Sequence, residues 1–107
     1  MDENLMNLRR QVIETSNGFI QAHRACLDAI SPDTRKSQME VKEAAEDYLN
    51  AAEPYGAALQ ELRQYLLAAE PSEAILAELE RTEQFIKTLD KEIKVGSRLI
   101  ERHIAMR

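Results

Sequence analysis

The sequence predicts an all-α fold, an antiparallel three-helix bundle that runs up, down and up. Hydrophobic residues make up 44% of the 107 residues and charged residues 31%, which is typical of a helix-rich globular domain. There are only three glycines and three prolines. Apolar residues recur at helical spacing through almost the whole chain. We therefore expect a single domain over residues 1–107.

The first predicted helix covers residues 2–30 and carries two apolar series at seven-residue spacing. The inner stripe consists of Leu5, Val12, Phe19 and Cys26. The outer stripe lies one position later and consists of Met6, Ile13, Ile20 and Leu27. Together they form a broader apolar face than two neighbouring helices are expected to cover. Because surplus apolar surface is typical of interaction sites, we expect the outer stripe to stay exposed and bind a partner.

The second predicted helix covers residues 33–69, after a boundary at Ser31–Thr34. Ser31 is suited to cap it and Pro32 to open its first turn. Its apolar register continues through Pro54, which predicts one helix kinked at residues 50–54. However, residues 49–62 match residues 66–79 at nine of fourteen positions, and both segments contain Glu-Pro. This repeat leaves open four helices instead of three.

The third predicted helix covers residues 72–106, after a turn at Glu70–Glu73. Its apolar face consists of Ile75, Leu79, Ile86, Leu89, Ile93, Ile100 and Ile104. Gly96 lies on the same face, where the missing side chain would let a neighbouring helix approach closely.

The charges of the chain are unevenly distributed. Residues 87–107 contain six basic and three acidic side chains, although the whole chain has a net charge of −5. A hairpin of the last two helices would place Lys94 near Asp47, Arg98 near Glu43 and Arg102 near Glu40. We favour such ion pairing as the explanation of the basic stripe. The alternative is that the stripe binds an anionic partner.

Few residues suggest catalysis or metal binding. His23 and Cys26 lie three apart on one helical face, but two ligands are too few for a zinc site. We interpret Cys26 as a core residue and His23 as a boundary residue. The sequence contains no phosphate-binding glycine loop, no nucleophile elbow and no Glu-x-x-His pair. We expect no cofactor, no bound metal and no enzymatic activity.

These observations favour a non-enzymatic protein-interaction module, an adaptor or small chaperone that presents an apolar helical face. The partner is a foreign helix or a second copy of the chain. Tyr55, beside Pro54, is expected to join Met6, Ile13, Ile20 and Leu27 in binding it. The alternative is a small-ligand or signal-sensing bundle. We expect a cytoplasmic location, no nucleic-acid partner, no membrane insertion and no small-molecule substrate.

Overall fold

A computed structural model describes residues 3–31 and 37–105, apart from the side chains of residues 38, 99 and 103–105. It contains three helices: α1 (Glu3–Ile30), α2 (Gln38–Ala68) and α3 (Glu73–Ala105). The described part of the chain contains no strand. The predicted all-α three-helix bundle is therefore confirmed, with three helices rather than four.

The described start of α2 is determined by a capping box. The side chain of Ser37 accepts a hydrogen bond from the backbone N–H of Glu40, and the backbone N–H of Ser37 donates to the Glu40 carboxylate. These two bonds satisfy backbone donors that the first helical turn leaves free. The sequence-based expectation that Ser31 caps the second helix was therefore wrong, because Ser37 caps α2. Pro32 and the rest of residues 32–36 lie outside the described residues.

The two Glu-Pro segments adopt different structures despite their similar sequences. Pro54 lies within α2, which continues as a helix on both sides of it. Pro71 lies in the connection between α2 and α3, after the backbone N–H of Ala69 has closed α2 by donating to the Tyr65 carbonyl. Pro54 is exposed, so water can bond the carbonyl that lacks its helical partner.

The helices alternate in direction, and α3 is therefore parallel to α1. Ser72 caps α3 by accepting from the backbone N–H of Ile75. Arg9 and Glu78 meet near one end of the molecule, and Tyr48 on α2 bonds to Glu92 of α3 nearer the other. The molecule measures 54 × 21 × 18 Å.

The core is centred on three aromatic side chains. Phe19 of α1 packs against two rings of α2, with centroids 5.3 Å from Tyr48 and 5.6 Å from Tyr55. Cys26 of α1 and Leu89 and Ile100 of α3 are buried in the same cluster. The helix α2 therefore forms the centre of the core, since it contacts both other helices.

The contacts between helices are unequal. The helix α2 packs extensively against α1 and against α3, whereas α1 and α3 scarcely approach each other. In an evenly packed three-helix bundle, each helix would contact both of its neighbours. This arrangement instead resembles three helices of a four-helix bundle, in which diagonally opposed helices are separated by the core.

Candidate interaction groove

The gap between α1 and α3 forms an apolar groove, which we call the α1/α3 groove. A cavity of about 400 Å³ lies in it between the C-terminal halves of α1 and α3, and Tyr48 of α2 also lines this cavity. A second cavity of about 220 Å³ lies between their N-terminal halves, and Leu59 and Leu62 of α2 line it. The groove thus has α1 and α3 as its walls and buried side chains of α2 as its floor.

The outer stripe of α1 is exposed, and two of its four residues line the groove. Met6, Ile13, Ile20 and Leu27 are each between 42% and 61% exposed. Leu27 lines the larger cavity and Ile13 the smaller one. The neighbouring inner stripe packs towards α2, and Phe19 and Cys26 are buried. The exposure of the four outer residues agrees with the sequence-based expectation, and their binding role stays a prediction.

The structure adds two apolar residues of α3 that sequence analysis missed. Phe85 and Val95 are each about half exposed, at 52% and 48%. Phe85 lines the smaller cavity opposite Ile13, and Val95 lines the larger one opposite Leu27. Neither residue belongs to the isoleucine and leucine series that defines the predicted apolar face of α3. Their apolar character outside that series was the sequence signal that could have identified them. Both walls of the groove therefore expose apolar side chains.

Tyr55 does not belong to this surface, contrary to our expectation from its position beside Pro54. It is only 8% exposed, and its ring packs on Phe19 in the core. The reason is that α2 continues through Pro54 without a break, so Tyr55 keeps its place on the apolar face that contacts α1.

Tyr48 and Gly96 determine how closely α3 approaches α2. A Cβ atom on Gly96 would lie 2.9 Å from the Tyr48 hydroxyl oxygen, which is closer than real Cβ contacts. The hydroxyl donates a 3.0 Å hydrogen bond to the backbone carbonyl of Glu92. Burial raises the pKa of Tyr48, and the nearby Glu92 carboxylate raises it further. Gly96 therefore gives the close approach that sequence analysis expected.

His23 and Cys26 both line the larger cavity. The half-buried His23 ring stacks on Phe19 with centroids 6.0 Å apart, and Cys26 is buried. Burial raises the pKa of the Cys26 thiol, which keeps it protonated and unreactive at neutral pH. Among the described residues, no group of three or more His, Cys, Asp and Glu side chains is placed to hold a metal.

One ion pair links α1 and α3 across the groove. Arg9 Nε donates to Glu78 Oε2 at 2.8 Å, and Arg9 Nη2 donates to Glu78 Oε1. These hydrogen bonds lower the pKa of Glu78 below its usual range, against the opposing effect of its partial burial. This two-point contact helps to determine how α1 and α3 lie relative to each other at the end of the smaller cavity.

Two of the three expected ion pairs between α2 and α3 do not form. Within residues 37–105, neither Lys94 with Asp47 nor Arg98 with Glu43 makes an ion pair, and all four side chains are exposed. The side of α2 that faces α3 is marked by Gly56, whose Cβ position is 3.6 Å from Leu89. Because Asp47 lies nine residues before Gly56, it projects from the opposite side of α2. The basic stripe of α3 is thus left facing solvent.

Comparison of the chain with protein-family models, with curated proteins and with solved structures found no match. The fold and the groove define the class of the molecule, a three-helix bundle with an apolar groove between its first and third helices. No helix in the described ranges is long and apolar enough to cross a membrane.

Proposed function

We propose that this protein is a non-enzymatic interaction module, an adaptor or small chaperone that binds a helix of a partner protein in the α1/α3 groove. One observation carries the proposal. The helices α1 and α3 both pack on α2 but are separated from each other, and both expose apolar side chains towards the gap. A fourth helix placed there would complete the bundle.

The spacing of the outer stripe supports a helical occupant. Met6, Ile13, Ile20 and Leu27 recur every seven residues, which is the repeat along which helices pack in a shared seam. An amphipathic helix that lies in an apolar groove is a common form of peptide recognition. Burying exposed apolar area provides the driving force, at about 25 cal/mol for each Å² removed from water.

The proposal can be tested with a synthetic helix as probe. The peptide has the length of α1, 28 residues, with leucine at the a and d positions of each heptad and equal numbers of Glu and Lys at e and g. It is labelled and kept at nanomolar concentration, where it stays monomeric. Fluorescence anisotropy is measured as the protein is added. We expect saturable binding in the micromolar range.

Two variants locate the binding surface. I13E/I20E places charges on the outer stripe and should weaken peptide binding at least tenfold (~1.4 kcal/mol) while leaving helicity unchanged by circular dichroism. L49E/L67E is the matched control, because Leu49 and Leu67 are similarly exposed but lie on α2, outside the lining of both cavities. Equal binding by both variants would refute the proposal, and so would the absence of any binding by the unaltered protein.

A second candidate function is binding of a small apolar ligand in the larger cavity. Its volume of about 400 Å³ lies within the range of ligand pockets, and apolar side chains form most of its walls. A substitution at Ile13 distinguishes the two candidate functions, because Ile13 lines the smaller cavity at the other end of the groove. With anilinonaphthalene sulfonate as probe, I13E should leave small-molecule binding unchanged, whereas it should weaken the binding of a helix that fills the whole groove.

A further inference from the structure

We infer that the helix bound in the α1/α3 groove is acidic: an amphipathic helix of another protein with Glu or Asp beside its apolar stripe. This inference rests on the proposed function and specifies the chemistry of the partner. Its basis is a set of exposed basic residues along the groove, in a chain whose net charge is −5.

Both borders of the groove include exposed basic residues. On α1, Arg10 and Arg24 are exposed and lie three residues before Ile13 and Leu27, on the same side of the helix. On α3, Lys91 lines the larger cavity and Arg98 is exposed, and they lie four residues before and three after Val95. None of these four cations makes an ion pair within the described parts of the chain.

Two acidic residues, Glu78 and Glu92, lie in the lining of the groove. Glu78 is already bonded to Arg9, so its charge is compensated. The half-buried Glu92 is the acidic group in the lining of the larger cavity, where Lys91 also lies. In coiled coils, charged residues that border the apolar seam select the partner by pairing with opposite charges. A helix with acidic residues at these bordering positions would meet cations on both sides.

The same charges argue against a second copy of this chain as the occupant. A symmetric dimer would pack identical surfaces together, so the groove of one copy would face the groove of the other. Arg10, Arg24, Lys91 and Arg98 of both copies would then lie along one interface. Like charges placed together at an interface cost free energy and suppress such pairings.

The shape of the surface favours a helix over an anionic membrane. The apolar residues line a trough between two parallel helices, and Tyr48, Leu59 and Leu62 close its floor. A bilayer surface contacts a protruding apolar face and cannot enter such a trough along its length.

The test compares two peptides with the leucine positions of the probe described above. One has Glu at all e and g positions and the other has Lys, so they differ in border charge alone. At about 50 mM salt, the acidic peptide should bind at least tenfold more tightly than the basic one. At about 500 mM salt the difference should shrink, because ions screen exposed charges.

Charge-reversal variants assign the effect to the groove. R24E/K91E changes one cation on each wall and should weaken acidic-peptide binding at least tenfold (~1.4 kcal/mol) while strengthening basic-peptide binding. K42E/N50D/Q64E is the matched control with the same change in net charge, since Lys42, Asn50 and Gln64 are exposed on α2 and line neither cavity of the groove. It should leave the preference for the acidic peptide unchanged. Circular dichroism checks that both variants stay folded.

Each other outcome overturns the inference in a distinct way. Equal binding of both peptides, abolished by I13E/I20E, would overturn the acidic partner and leave the proposed function standing. Binding of neither peptide would overturn both proposals. If neither peptide bound and the protein sedimented with vesicles containing about 30% phosphatidylserine, the surface would bind an anionic membrane instead of a helix. A dimer in light scattering that I13E/I20E dissociates would show that a second copy covers the groove.

Discussion

The inner and outer stripes of α1 have the same spacing and a similar composition, yet they are in different environments. Phe19 of the inner stripe is 3% exposed, whereas the adjacent Ile20 of the outer stripe is 42% exposed. The difference arises because α2 covers one side of α1, while α3 stays too far away to cover the next. Hydrophobic periodicity therefore indicates which residues are able to be buried, and the neighbouring helices decide which of them are.

The largest expected effect is the difference in stability between alanine substitutions at Phe19 and at Ile20. F19A removes a buried ring that contacts Tyr48 and Tyr55, and it should lower the free energy of unfolding by about 3–5 kcal/mol. I20A should lower it by about 0.5 kcal/mol or less, because Ile20 is largely at the surface. Urea unfolding followed by circular dichroism measures both values.

If F19A does not fold, F19L provides the comparison. It keeps most of the apolar volume but loses the ring contacts, so a loss of about 1–2 kcal/mol is expected. Equal losses for I20A and F19L would show that the outer stripe is part of the core, and the comparison between the stripes would fail.

A smaller difference in stability is expected between alanine substitutions at Gly96 and at Gly18. G96A places a methyl group against Tyr48 and should lower the free energy of unfolding by about 1 kcal/mol, since the cost of overpacking exceeds the gain in helix propensity. G18A should raise it by about 0.5–1 kcal/mol, because no other atom lies within 4 Å of the new Cβ.

Thermal or urea unfolding of the two alanine variants is the measurement. Changes of opposite sign in the free energy of unfolding of G96A and G18A would confirm that α3 packs closely on α2 at Gly96. A stabilising G96A would mean that this close approach does not occur.

The smallest effect concerns the ion pair that crosses the groove. Because Arg9 lowers the pKa of Glu78 in the folded protein, the pair stabilises the fold above the unfolded-state pKa of about 4.3. That contribution is lost as the pH falls through the lower, folded-state pKa. Since the Arg9 side chain is 49% exposed, water screens the pair and its contribution is about 1 kcal/mol or less.

E78Q should therefore be less stable than the unaltered protein at pH 7, and the difference should shrink as the pH falls through the folded-state pKa of Glu78. Urea unfolding at pH 7 and at a series of acidic pH values measures it. E80Q is the control, because Glu80 is exposed two residues away and makes no ion pair among the described residues. A difference that persists in acid would mean that Glu78 acts through packing rather than charge.

Much of the fold was predictable because it depends on local properties. Helical periodicity indicated three amphipathic helices, and short connections indicated their alternating directions. The two Glu-Pro segments were harder to distinguish. Pro54 and Pro71 have similar neighbours, but Pro54 lies between residues whose apolar side chains are buried on one face, including Ala52 and Tyr55. Packing of that face keeps α2 continuous despite the missing hydrogen bond.

The groove was only partly predictable. The outer stripe was visible in the sequence, because its spacing is a property of one helix. Phe85 and Val95 were not, because their exposure depends on the rotation of α3 about its own axis. The hairpin register that placed Lys94 near Asp47 agrees with the hydrogen bond from Tyr48 to Glu92, but it gave no information on which side of α2 faces α3. For that reason, the expected pairing of Lys94 with Asp47 was wrong.

The amino-acid order alone thus predicts a helical bundle, the apolar faces of its helices and their approximate alignment along the bundle axis, but it leaves open whether there are three helices or four. These features follow from residue spacing, capping chemistry and connection length, which act over a few turns of helix. Tertiary packing decides the rotation of each helix and the separation of α1 from α3. Those depend on contacts between distant residues, above all the Tyr48 ring against Gly96 and Phe19 between Tyr48 and Tyr55.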